Sequence, residues 1–350
     1  LGSSGGIISV INSDLLRNVD FYSGGFSAGY GDRMSAVVDI SLREGNRTEF
    51  DSQLDLNMGG FGGGFEGPLG NGKGSWMISA RKSYLDVILG LLGKGFVPSY
   101  GDAHAKLTYD LSPTQKLTFL DILANSTISF EKEDALDEGR DDYGDYSAWQ
   151  NTTGLNLLSL WNHRFFSNTS LSYSFSTGNY KTYRNIDDVV NFDMDTYESM
   201  ITLRNTNYLT INSRHKLQFG FRIKQETGNY DYYYADYINN LGAPVPSRWN
   251  EDRISEIKAG AHVSYTWSPF GSLTATFGLR GDYFSYNKRF HLSPRLSMSW
   301  KLSPSFALNA GWGVYYQSIP QFYLASSDEF KELNDPKAIH YIAGLEYFVT

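Results

Sequence analysis

The sequence predicts an all-β protein, a transmembrane antiparallel β-barrel behind a short glycine-bent element, and three observations predict it. Apolar and polar residues alternate along stretch after stretch; tight turns alternate with longer irregular segments; and aromatic residues make up 15% of a chain whose mean hydropathy is −0.36. A β-barrel hides its membrane face in alternation, so a polar average is what it should show. The longest apolar run, near Leu85 to Phe96, is broken by Asp86, Gly90, Gly93 and Lys94 and is too short to cross a bilayer as a helix.

At the front, Phe21-Tyr22-Ser23-Gly24-Gly25-Phe26-Ser27-Ala28-Gly29-Tyr30-Gly31-Asp32-Arg33 carries the glycine density of backbone that turns sharply or packs against other backbone. Ser35 to Arg43 follows as a strand rich in β-branched residues. From Thr48 onward, tight turns are expected at 70–74, 112–114, 166–168, 212–214, 268–271 and 303–305. Longer segments are expected at Asp86–Gly101, Glu131–Asp145, Arg184–Asp195, Asp231–Asp252 and Ser318–Pro336. Short turns on one side and long loops on the other describe periplasmic and extracellular ends of an outer-membrane barrel.

Within the strands the period is two. Leu217, Phe219, Phe221 and Ile223 alternate with Lys216, Gln218, Gly220, Arg222 and Lys224, and similar alternation runs through 256–267, 273–280 and 295–302. Facing Lys216, Arg222 and Lys224 to lipid would cost roughly 2–4 kcal/mol each at mid-bilayer, so the charged face is assigned to the lumen. Trp161, Trp267, Trp300 and Phe306 near the turns, with Tyr283, Tyr286 and Tyr316 near the loops, are assigned to interfacial girdles. About thirteen or fourteen strands are expected. The competing template is a soluble sandwich with its apolar faces inward.

Cysteine is absent, which removes disulfides, thiolate metal sites and a thiol nucleophile. A net charge of −8 argues against a nucleic-acid partner. The chain starts at Leu1 without a signal peptide, and is expected to be a piece of a longer protein.

Residues Ile7 to Asn46 resemble the end of the plug domain of TonB-dependent outer-membrane receptors, closest in wording to the Bacteroidetes type. The matching runs are Gly25-Phe26-Ser27-Ala28-Gly29-Tyr30-Gly31-Asp32-Arg33 and Val37-Val38-Asp39-Ile40-Ser41-Leu42-Arg43-Glu44-Gly45. Gly24, Gly25, Phe26, Tyr30, Gly31, Arg33, Asp39 and Arg43 form the motif. Leu292-Ser293-Pro294-Arg295-Leu296 and Leu333 to Tyr341 also resemble the family's mid-barrel region, although Asp335 departs from its usual pattern. The resemblance divides the chain into the C-terminal part of an N-terminal plug (1–46) and the first part of the barrel (47–350). It implies a full barrel of about 22 strands with a plugged lumen. It further implies energised import of a ferric siderophore, cobalamin or oligosaccharide across the bacterial outer membrane. TonB would engage a segment upstream of Leu1, extracellular loops would bind the small-molecule or glycan ligand, and a surface lipoprotein would fit as partner.

Several clusters are candidate sites. Tyr230, Tyr232, Tyr233, Tyr234 and Tyr237 crowd one long loop with Trp249, and Tyr316 and Tyr323 sit in a second aromatic cluster. Such platforms stack on a sugar or a siderophore, or else extend the outer girdle. The carboxylates of Glu131–Asp145 suit Ca²⁺ by type but not by calcium-loop spacing, and read as a solvated loop. Gly62 to Gly67 has dinucleotide-loop spacing without the helix that motif needs. The six histidines show no metal spacing, and no Ser-His-Asp arrangement is legible, so neither metal, cofactor nor catalytic residue is expected. Arg33, Arg43 and Arg47 are expected to tie plug to wall through carboxylates such as Asp55, Asp121 or Glu256. The alternatives to gated import are a passive porin or structural barrel, and an outer-membrane barrel enzyme.

Overall fold

A computed structural model describes residues 11–57, 60–85, 88, 90, 96–239 and 241–348. The ends of the chain at 1–10 and 349–350 lie outside it, as does most of the apolar run at 85–95. Two strands come first, β1 (Leu16–Tyr22) and β2 (Val37–Leu42), paired as a small antiparallel sheet. Next are β3 (Asp51–Asn57), β4 (Gly60–Leu69), β5 (Gly74–Ser83), β6 (Phe96–Ser112) and β7 (Gln115–Phe130). After helix α1 (Lys132–Asp137) follow β8 (Asp142–Asn162), β9 (Phe165–Arg184), β10 (Val190–Asn212) and β11 (His215–Tyr234). A two-residue hairpin, β12 (Tyr237–Ile238) and β13 (Pro244–Val245), precedes β14 (Arg248–Phe270), β15 (Leu273–Phe284), β16 (Arg289–Lys301) and β17 (Phe306–Tyr316). Helices α2 (Gln321–Ser326) and α3 (Glu329–Glu332) lead to β18 (Lys337–Tyr347).

The fourteen strands from β3 to β18, without β12 and β13, form one antiparallel meander in which each strand pairs with its neighbours in sequence. Among the described residues β3 and β18 are its open edges. The sheet curls around the leading segment. Residues from that segment touch β4 near one edge and β18 at the other, through Arg43–Glu66 and Gly25–His340.

The two faces separate as the alternation predicts. Phe221, Ile223, Val263, Phe277, Leu279 and Trp300 are all about 40–50% exposed on the convex face, a continuous apolar surface of the kind that meets lipid rather than water. Arg222, Lys224, Lys258, Arg280 and Arg295 point inward onto the leading segment.

Several expected loops are strands. β10 and β14 run 23 residues each, roughly twice the 9–11 that a tilted strand needs to cross a bilayer. Their outer halves are polar because they stand in water, yet their backbones stay paired. The expected loop at Arg184–Asp195 therefore shrinks to a turn at 185–189, and Asp231–Asp252 shrinks to 235–247. The turn expected at 166–168 lies at His163–Arg164 instead, with Phe166 already in β9. In β4, a Cβ on Gly62 would lie 2.9 Å from Ala80 O and one on Gly63 2.7 Å from Gln53 O, so these glycines allow close strand approach. The carboxylates of 131–145 disperse along α1 and the start of β8. Asp145 accepts from Ser129, and Lys132 reaches across to Asp188 in the next turn.

Candidate functional site

The site is built in two storeys inside the curl of the sheet. The lower storey is the seat of residues 24–32. Gly25 adopts φ +63°, and its N–H points to His340 Nδ1 at 3.4 Å. That turn drives Phe26 into the wall, where its ring lies 4.6 Å from Tyr315 and is fully buried. Arg295 lies against both rings, 5.2 Å from Phe26 and 4.3 Å from Tyr315. Its Nη1 donates to the carbonyls of Phe26 (3.1 Å), Ser27 and Tyr30 (2.7 Å). Arg280, clasped by Asp282, donates to Ala28 O at 3.2 Å, and Arg222 donates to Gly31 O at 2.8 Å. Position 31 requires glycine, because the Arg280 guanidinium occupies the space a Cβ would need.

Asp32 closes the seat. Its backbone is left-handed at φ +60°, a conformation that Asp tolerates better than most residues. One carboxylate oxygen accepts from Ser318 N and Oγ, both at 2.8 Å. The other lies 3.4 Å from Lys224 Nζ and 3.9 Å from Lys258 Nζ. Burial pushes this carboxyl up, but Lys258, Lys224 and the Ser318 donors overcome that and hold it well below the usual carboxylate range. Tyr30 donates to Asp39 Oδ2 at 2.5 Å; burial and that carboxylate push its hydroxyl up.

Two of the three arginines tie the leading segment to wall carboxylates, though to others than those named. Arg43 pairs with Glu66 and donates to Asp14 O; Arg47 pairs with Glu44 (3.0 Å) and Asp110 (2.6 Å); Arg33 donates to Asp32 O. Asp121 is bound instead by Asn151 and Thr153, and Asp55 by Gln53. The expectation had the polarity of the upper seat reversed: there the cations belong to the wall, and the leading segment supplies carbonyls and one carboxylate.

The upper storey is a cavity of about 740 Å³ whose floor is Asp32 and Arg33. Tyr146, Ala148 and Gln150 from β8, Met194 and Glu198 from β10, and Tyr230 from β11 line one side. Gln317, Gln321, Phe322 and Tyr323 line the other, from the segment 317–336, which folds inward. That fold is held by an apolar cluster of Ile319 and Leu324 with Tyr230, Tyr232 and Ile254. Its base is pinned where Asp335 accepts from Tyr286 Oη, Asn287 Nδ2 (2.7 Å) and His291 Nε2 (2.7 Å). Tyr286 Oη in turn accepts from Ile319 N at 3.2 Å; burial and Asp335 push the Tyr286 hydroxyl up.

The aromatic residues singled out from sequence do not form one platform. Tyr230, Tyr232, Tyr233 and Tyr234 stand on β11, where alternation sends them to opposite faces. Tyr230 and Tyr232 are buried inside, donating to Glu198 (2.6 Å) and Asp252 (2.8 Å). Tyr233 packs on its cross-strand partner Trp249 at 5.9 Å, on the outer face, while Tyr234 and Tyr237 are exposed near the rim. Tyr323 lines the cavity; Tyr316 stacks on His291 at 4.3 Å, outside the cavity lining. Tyr286 is likewise an internal hydrogen-bonding residue and not part of a girdle. The sequence reading missed Tyr146, Asp32, Lys258 and Ser318. Only Asp32 carried a signal, an acidic residue wedged between Gly31 and Arg33 in a glycine-rich turn.

A strand meander with a lipid-compatible outer face, a charged inner face and a segment seated inside it defines an outer-membrane β-barrel. The chain belongs to the family described as TonB dependent receptor-like, beta-barrel, whose model matches residues 99–348. No curated protein matches it in sequence. Solved structures match in fold. The outer membrane transporter YddB from Escherichia coli is 11% identical with a TM-score of 0.66, over 97% of this chain and 55% of that one. The siderophore receptor PirA from Pseudomonas aeruginosa is 13% identical with a TM-score of 0.65, over 96% and 60%. A mutant of the ferric enterobactin receptor PfeA from Pseudomonas aeruginosa is 14% identical with a TM-score of 0.64, over 88% and 50%. The chain thus spans 50–60% of the length of these three proteins.

Proposed function

We propose that the chain is part of a receptor that actively imports a scarce ligand across the outer membrane, drawing energy through TonB. In this reading residues 1–46 are the end of a Bacteroidetes-type plug, 47–350 are the first part of its barrel, and the remainder of both lies in a longer protein. The observation that carries it is the seat. Residues 26–32 lie across the inner wall, held there by Arg222, Arg280 and Arg295, with a cavity directly above. A passive pore has no use for a backbone segment gripped at the base of its cavity; a gated importer needs one. The ligand class is a ferric siderophore, cobalamin or oligosaccharide. Tyr146, Tyr230, Phe322 and Tyr323 are proposed as its apolar contacts, with Gln317 and Gln321 as its polar ones. A surface lipoprotein belongs to the same reading as an outer partner.

The test is uptake by cells carrying the full-length gene, under the iron, cobalamin or glycan condition that induces it. Uptake should stop on addition of a protonophore. Uptake that continues unchanged, or steady open channels formed by the purified protein in planar bilayers, would establish a passive porin instead.

A further inference from the structure

Among the described residues, every charged wall side chain that hydrogen-bonds or ion-pairs with residues 26–32 is a cation: Arg222, Lys224, Lys258, Arg280 and Arg295. We propose that this part of the wall is a concealed anion site, which binds the anionic group of the cargo once the leading segment unseats, and that the cargo is therefore anionic. The proposal rests on the reading that this segment moves during import.

The register makes the case. Lys224 stands directly opposite Lys258 across β11 and β14, and Arg222 directly opposite Arg204 across β10 and β11. Like charges in directly opposed positions destabilise a strand pair. A wall built only to hold backbone carbonyls would do so with Ser, Thr or Asn and avoid that repulsion. Compensation from the wall itself is incomplete. Glu226 reaches both ammoniums, at 3.4 and 2.5 Å, but Glu256, its directly opposed partner, lies 3.2 Å from Lys258 without hydrogen-bond geometry. Among the described residues, Arg222 and Arg295 form no ion pair and spend their donors on carbonyls.

Asp32 occupies this site as a ligand carboxylate would. It enters between the two ammoniums on a left-handed backbone and brings an anionic oxygen within 4 Å of both. Withdrawal of the segment removes that carboxylate and frees the terminal nitrogens of Arg222 and Arg295 that hold its carbonyls, with Arg222 two residues from Lys224 on the same face of β11. Such a set suits carboxylate, phosphate or sulfate oxygens. The seated segment is thus both stopper and stand-in, and cargo entering the bore replaces it on the same donors.

The test uses the full-length receptor in detergent, titrated calorimetrically with citrate and with inorganic pyrophosphate as carboxylate and phosphate probes, and with choline as a cationic control. Asp32→Asn keeps the turn and removes the stand-in. It should bind one or both anions at least about tenfold tighter than the wild type and lose that gain in about 0.5 M NaCl, where charges are screened within roughly 4 Å. Adding Lys224→Met and Lys258→Met should return affinity to the wild-type value, and choline should show no gain. Gly31→Ala, which displaces Arg280 from the segment but removes no wall charge, should reproduce the gain and serves if Asp32→Asn does not fold. No gain in either variant, or a gain that survives loss of both lysines, overturns the proposal. Binding is read on isolated protein, so that failure leaves energised import standing. Protonophore-insensitive uptake, conversely, would remove import and leave the site.

Discussion

Replacing Asp32 by Asn isolates the charge on which the seat depends. Asn tolerates the left-handed backbone at φ +60° as well as Asp does, and its amide oxygen still accepts from Ser318. What is lost is the counter-ion of Lys224 and Lys258, whose side chains are only 9% and 8% exposed. Removing one partner of a buried ion pair costs roughly 3–5 kcal/mol. Glu226 still touches both ammoniums, which sets the expected loss at the lower end, about 3 kcal/mol. That corresponds to about a hundredfold rise in the population of unseated segment. Hydrogen exchange of the amides of residues 26–33 in the full-length protein should accelerate by that factor, while amides of the β9–β10 pair stay unchanged. Acceleration below about threefold would refute the claim that Asp32 locks the segment. The pH dependence carries the same sign. A carboxyl held below its ordinary range contributes stability that is fully present above the ordinary carboxylate pKa and is lost as pH falls through the lowered value. Wild-type exchange, corrected for its intrinsic rate, should be flat from neutral pH to about 4 and rise only in stronger acid; the Asn variant should not show that rise.

Other positions make separate predictions. Phe221→Lys puts an ammonium on the convex face, where Phe221 is 39% exposed in the apolar band, and should cost roughly 2–4 kcal/mol at mid-bilayer, read as loss of folded, heat-modifiable protein on gels. Tyr286→Phe strands the Ile319 N–H and one bond to Asp335, at a cost of roughly 1–3 kcal/mol. Protease nicking within 317–336 should then accelerate while the strands remain resistant. Tyr323→Ala, at a cavity-lining ring, should weaken ligand binding by about tenfold or more without changing the seat, since a stacking aromatic is worth roughly 1–3 kcal/mol; unchanged affinity removes Tyr323 from the proposed contacts.

What was legible in the sequence followed from period, and what was not followed from distance. Lys216 to Lys224 could be assigned to the bore because each lies on a strict two-residue alternation beside Leu217, Phe219, Phe221 and Ile223. The same rule failed where strands leave the bilayer. Tyr230 to Tyr234 look like loop because both faces of that stretch are polar or aromatic, yet β11 continues through them with unbroken pairing to β14. Bulk aromatic content gave no way to decide which tyrosines turn inward; only the register does, and it buries Tyr230 and Tyr232 while sending Tyr233 outward against Trp249. The partners of Asp32 were out of reach for a different reason. They come from two strands and a loop, with Ser318 lying 286 positions away, and no local pattern links a turn to a wall that curls back upon it.

The reversed polarity of the seat bears on how such a segment can be both firm and removable. Had residues 26–32 carried arginines into wall carboxylates, as Arg43 does at Glu66 outside the seat, unseating would pull bulky charges through the bore. As built, most of what the wall grips is backbone: the carbonyls of Phe26, Ser27, Ala28, Tyr30 and Gly31, none of which bears a net charge. A freed carbonyl in a wet bore is promptly rehydrated, and the exchange of protein for water partners costs only about 1 kcal/mol per bond. The charged groups stay on the barrel, fixed by pairs such as Arg280–Asp282 that do not involve the segment at all. Within residues 26–32 only Asp32 must be drawn out as an ion, and its contacts carry the large penalty of a broken buried pair, whereas Arg43–Glu66 and Glu44–Lys116 are partly exposed. The seat is therefore a set of weak, rehydratable bonds closed by a single strong one, an arrangement in which a pull on the chain upstream of Asp32 has one main barrier to overcome.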